Sequence, residues 1–120
     1  MEIYIVTDLV PTADGLEFNA VYAFRSRTSA ERCAEYMGNS HPGHELVLTP
    51  ATVSAEVATV QVVTLIGDGG YVSTNVFDDY EDARDYIADV KDSHTDIKPE
   101  HDIVRIRARF SPSLLHEGFA

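Results

Sequence analysis

The sequence predicts an α+β domain: two tandem strand–strand–helix–strand (ββαβ) units sharing one mostly antiparallel sheet, with two helices on one face. Three observations predict it. The two halves align with each other, each half passes from strand to helical periodicity and back, and cap and turn residues stand at the joints. At an offset of 53 positions, Phe24 falls on Phe77, Ser26 on Asp79, Ser29 on Asp82, Ala30 on Ala83 and His41 on His94. A further step of four sets His44 on His101, Glu45 on Asp102 and Val47 on Val104, which reads as one insertion in the second helix-to-strand loop. Two copies are fewer than the about three that a solenoid needs to bury a continuous core, so the pair is expected to share one. The repeats cover 2–49 and 57–110 of a single domain of 120 residues, followed by a tail at 111–120.

In the first half, Glu2–Val10 reads as a strand, Pro11–Gly15 as a turn, and Leu16–Phe24 as a second strand. Ser26 is the expected N-cap of a helix whose buried stripe is Ala30, Cys33, Ala34 and Met37, with Gly38 as its stop. A third strand follows over Glu45–Thr49. The second half repeats the order. Val57–Ile66 is a strand, Gly67–Gly70 a hairpin turn and Tyr71–Phe77 the returning strand; Asp79 caps a helix reaching Asp92. The last strand, Ile103–Phe110, alternates, with Val104, Ile106, Ala108 and Phe110 inward and Arg105, Arg107 and Arg109 outward. The tail carries Leu114, Leu115 and Phe119 and is expected either to pack on the domain or to fray.

The run IYIVTD…NAVYAFRSRTSAERCAEY resembles small domains common in phage and bacterial genomes whose function is uncharacterised. The shared features are a hairpin ending in a Phe–Ser cap and a helix with an alanine soon after its start. This resemblance implies the fold and a phage or mobile-element source; it implies no active residues.

Charge narrows the partners. Twenty acids against nine bases give a formal net charge of −11 and a sequence pI near 4.6. Such a chain repels phosphate and anionic lipid at long range, so direct nucleic-acid and membrane binding are disfavoured and basic protein surfaces are favoured. The single cysteine, Cys33, allows no internal disulfide, and the first ten residues lack the basic start of a signal peptide. A cytoplasmic location is expected, in the host cytoplasm if the gene is phage-borne.

Three groups of residues are candidates for function. On a helical wheel, Asp78, Glu81, Asp82, Asp85, Asp89 and Asp92 fall within about 100° of one another, opposite Ala83, Ile87 and Val90. Like charges at this spacing oppose the helix, and aspartate is a poor helix former. Acids near the N-terminus suit the helix dipole, but Asp89 and Asp92 lie toward its negative end. A basic partner, of the kind a nucleic-acid mimic would occupy, accounts for them; so does an ordinary solvated face in an acidic proteome.

Second, His41 with His44, and His94 with His101, offer imidazoles beside carboxylates in what read as equivalent loops. These suit zinc or nickel if a twofold axis brings them together, although helix ends also favour histidine for its charge. Third, Arg105, Arg107 and Arg109 alternate on one face, where they can contact phosphates, cross-pair with acids on a neighbouring strand, or join the acidic helix of a second copy in a homodimer.

No catalytic constellation is expected. Cys33 lies on an apolar stripe, and Gly67–Gly70 has neither the lysine nor the following helix of a phosphate cradle. The sequence therefore favours a non-catalytic acidic interaction protein without a cofactor, in concrete form a phage-encoded inhibitor that binds a basic host protein. A metal- or small-ligand-binding module and a structural or assembly subunit are the alternatives.

Overall fold

The computed structural model describes residues 1–113 and has an α+β architecture, one mixed six-stranded sheet with two helices. The tail residues Leu114, Leu115 and Phe119 lie outside the described residues. In chain order the elements are β1 (Glu2–Thr12), β2 (Gly15–Phe24), α1 (Arg27–Ser40), β3 (Glu45–Thr52), β4 (Thr59–Ile66), a 3-10 turn (Asp68–Gly70), β5 (Val72–Phe77), α2 (Tyr80–Ser93) and β6 (Lys98–Arg107). The strands lie in the order β3-β1-β2-β6-β4-β5. In each half the strand after the helix pairs antiparallel with the strand that opens the half, β3 with β1 and β6 with β4. The halves join at one parallel seam of two residue pairs, Ala23 with Ile106 and Phe24 with Arg107.

Local chemistry sets the element ends. The Ser26 hydroxyl accepts from the Ser29 N–H and the Asp79 carboxylate from the Glu81 N–H, so each helix opens on a polar cap. The His41 and His94 N–H groups close the helices on the carbonyls of Met37 and Val90. Gly38 does not stop α1, which runs on to Ser40. A positive φ occurs instead at Gly43, 97°, in the turn after the helix where the His44 N–H donates to the His41 carbonyl at 3.1 Å. Strand β3 extends past Thr49 to Thr52, and Pro50 is tolerated because β3 is an outer strand of the sheet.

The four-residue step predicted in the second helix-to-strand loop is not there. Caps, helices and the strands that follow them all recur at the same spacing: Arg27–Ser40 becomes Tyr80–Ser93, and Glu45 becomes Lys98 at the start of the last strand. The extra length lies in the first hairpin, where β1 runs to Thr12 while β4 stops at Ile66. On that footing Ile3, Ile5, Val6, Thr7 and Leu9 of β1 match Val60, Val62, Val63, Thr64 and Ile66 of β4, and all ten are buried. The histidine–acid pairs that suggested the later step, His44-Glu45 and His101-Asp102, match in sequence and not in position.

Alternation along the strands sorts the core into layers. Val6 and Phe24 face α1 and pack with Ala30, Cys33, Met37 and Phe110. Val63 and Leu65 face α2 and pack with Ala83 and Val90. The opposite sides of both halves meet: Ile3, Ile5 and Ala23 join Val60, Val62, Val104 and Ile106 in one cluster. Strands β1 and β4 are separated in the sheet by both β2 and β6, yet their inner residues share one cluster, so the sheet curves about the β2–β6 seam.

Thr7 and Thr64 point into this inner layer, fully buried, and their hydroxyls make no hydrogen bond among the described residues. A buried hydroxyl without a partner carries an uncompensated desolvation cost. Thr64→Val is therefore expected to raise stability by about 1 kcal/mol, seen as a higher urea midpoint with unchanged slope.

Candidate functional site

The structure places five of the six predicted acids on α2 and the sixth just before it. Glu81, Asp82, Asp85, Asp89 and Asp92 are exposed on the side of α2 away from buried Ala83 and Val90. Asp78, also exposed, precedes the helix and accepts the Ser54 N–H on both carboxylate oxygens, at 3.2 Å each. Its role is partly structural, tying the chain before β4 to the entrance of α2. None of the six forms an ion pair among the described residues. Arg84, on the same helix, lies over the Tyr80 ring at 5.9 Å instead of turning to the acids.

The four histidines predicted as a metal set do not converge. His41 and His44 stack, with ring centroids 4.9 Å apart. His94 closes α2, and His101 lies inside β6, not in the loop. There His101 Nε2–H donates to Gln61 Oε1 at 2.8 Å, and its ring stacks on Tyr80. Among the described residues no three His, Cys, Asp or Glu side chains are grouped to hold a metal ion. Added strand separates the imidazoles: β6 begins at Lys98, carrying His101 into the sheet opposite Val63.

His44 has a different occupation. Its Nδ1–H donates to Asp8 Oδ1 at 2.8 Å, and Asn19 Nδ2 donates to Asp8 Oδ2 at 2.7 Å. Asp8 is fully buried, so these two donors are what its charge meets in place of water. The second half holds Leu65 where the first holds Asp8, and Ile97 where the first holds His44. One contact is thus a polar hydrogen bond in one half and apolar in the other. Sequence reasoning missed it; the signal was the lone acid inside the apolar run IYIVTDLV.

Cys33 is a core residue. Burial first, and the nearby Asp8 charge second, push its thiol up to about 12. A thiol held protonated and out of solvent is a poor nucleophile. Native protein is expected to leave a thiol-reactive dye unreacted at neutral pH, with one equivalent of labelling after unfolding in denaturant.

The arginine row is shorter than predicted. Arg105 and Arg107 belong to β6, whereas Arg109 lies beyond its end. Arg105 is exposed and makes no ion pair among the described residues, while Arg107 sits at the seam opposite Phe24.

Two clefts accompany these groups. One separates β2 from β6 where the strands diverge beyond the seam. The other lies between the C-terminal end of α2, the β4–β5 turn and the loop after α2, and has a volume of about 570 Å³. No described helix is long and apolar enough to cross a membrane. The chain matches no protein-family model, no curated protein and no solved structure. Its chemistry is therefore read from its own surface.

Proposed function

We propose that the protein is a non-catalytic interaction protein that meets a basic protein surface through the acidic side of α2. The observation that carries this reading is a contrast inside the molecule. Both helices have 14 residues, open on a side-chain cap and bury their matching positions Ala30/Ala83 and Met37/Val90, although α1 also buries Ser29 and Cys33; only α2 bears the row. Where α2 and its approach carry Asp78, Glu81, Asp82, Asp85, Asp89 and Asp92, the first half carries Arg25, Thr28, Ser29, Arg32, Tyr36 and Asn39. The fold therefore does not require acids at these positions: α1 places its own acids, Glu31 and Glu35, elsewhere on its surface. We take the halves to be two copies of one ββαβ unit, the second having acquired the charge.

The favoured partner is a protein that itself binds anions, such as a host nucleic-acid-binding or defence complex, with the gene carried by a phage. Carboxylates along the helix offer a row of negative charge to a groove lined with arginine and lysine.

The test is charge reversal. The triple variant Asp85→Lys, Asp89→Lys, Asp92→Lys is expected to fold with an unchanged or slightly higher melting temperature, because lysine is the better helix former and suits the helix C-terminus. It is expected to lose capture of the partner in pull-downs from host extract. Undiminished capture by the folded variant would end this reading.

A further inference from the structure

We infer that the cleft at the C-terminal end of α2 is a binding pocket for a basic side chain, lysine or arginine, of the partner protein. The inference rests on the reading above and adds the place where a single residue is anchored. The pocket walls include two tyrosines, Tyr71 and Tyr86, and three carboxylates, Asp68, Asp89 and Asp96, beside apolar side chains and the imidazole of His94. No lysine or arginine lines it. Its volume, about 570 Å³, falls in the range of roughly 300–1,000 Å³ typical of ligand pockets.

Three features select a cation, and an organic one. The carboxylates stand at the end of α2 where the last carbonyls and the helix dipole add further negative potential. Tyr71 is half exposed, leaving ring surface open for an ammonium or guanidinium to lie against. The acids belong to separate elements, the β4–β5 turn, α2 and the following loop, and no three of them group to hold a metal ion. A wide cation that meets rings and carboxylates together suits this arrangement better than a small one.

The pocket is also built. Gly67 lies beneath it, where an added Cβ would stand 3.3 Å from Tyr71 Cδ1 and 3.4 Å from Ile97 Cγ1. The Gly67 N–H donates to the Tyr71 carbonyl at 3.0 Å, holding the tyrosine at the head of β5. The matching region of the first half carries Asp8, Cys33 and His44 in place of Leu65, Tyr86 and Ile97. There the polar groups are spent on each other, so the pocket belongs to the second half alone.

The test titrates isotope-labelled protein with n-butylammonium, n-butylguanidinium and, as the uncharged control, n-butanol. Saturable amide shifts are expected for the two cations at Gly67, Tyr71, Tyr86 and Ile97, with binding at least fivefold tighter than for butanol. Tyr71→Ala and Asp68→Asn, both at exposed positions off the α2 row, are each expected to weaken cation binding about threefold or more. Shifts spread along all of α2, equal binding of butanol, or unchanged binding in both variants would each overturn the pocket. Partner capture separates the two readings. The pocket predicts weakened capture by Tyr71→Ala and Asp68→Asn; full capture by these variants but not by the charge-reversed helix would refute the pocket and leave the helix reading standing.

Discussion

Replacing His44 with alanine is expected to lower stability by about 3 kcal/mol, while exchanging both His44 and Asp8 for the residues of the other half costs less than about 1 kcal/mol. The reason is the asymmetry of buried charge. Asp8 has no exposed surface, and His44 and Asn19 supply its two hydrogen-bond donors. Removing His44 leaves a carboxylate in the core with one donor. Removing both polar groups leaves nothing to desolvate, and Leu65 with Ile97 shows that the same scaffold accepts an apolar pair there. Asn19 is exposed, so its amide returns to water when Asp8 is replaced. Urea unfolding of His44→Ala, Asp8→Leu, His44→Ile and the double variant Asp8→Leu/His44→Ile tests this, the last three forming a double-mutant cycle. A double variant as unstable as the sum of its two singles would mean that the two sites are not interchangeable, and the correspondence between the halves would lose its strongest physical support.

That correspondence shows what a sequence displays and what it conceals. Phe24 and Phe77, Ser26 and Asp79, and Ala30 and Ala83 were legible because a strand end, a helix cap and a buried helical position each demand a narrow set of residues. Strand alternation was legible for the same reason. The register between halves was not, because loops and strand ends accept almost any polar residue. His44 and His101 could be matched on identity while one precedes a strand and the other lies within it. The wheel identified the exposed face of α2, since solvent exposure follows from helical period alone. Its use of Asp78 overreached by two residues, because a residue before the N-cap follows the incoming chain and not the helix. The pocket beneath Tyr71 was out of reach, being assembled from three elements that meet only through the β4–β5–α2 packing.

Separated at residue 56, the two halves are each expected to remain unfolded, although each contains three strands and an α-helix. The strands of a half pair among themselves, and only two residue pairs cross the seam, so hydrogen bonding alone would allow independence. Packing does not. The inner cluster draws Ile3, Ile5 and Ala23 from one half and Val60, Val62, Val104 and Ile106 from the other. Each half alone would turn that layer to water, on top of the marginal core of a domain near 60 residues. The first half also loses Phe110, whose ring meets Phe24 edge-on at 6.1 Å beneath α1. Far-UV circular dichroism and amide dispersion of the fragments 1–56 and 57–113 measure this directly, alone and mixed. The corresponding result in the intact chain is one transition, with Ile5→Ala lowering the stability of both halves together by about 2–5 kcal/mol. A fragment that melts cooperatively alone, or an Ile5→Ala protein whose second half keeps its own midpoint, would show that each unit has a sufficient core of its own. The acidic helix could then be carried by the second unit alone, and partner binding would need only half the chain.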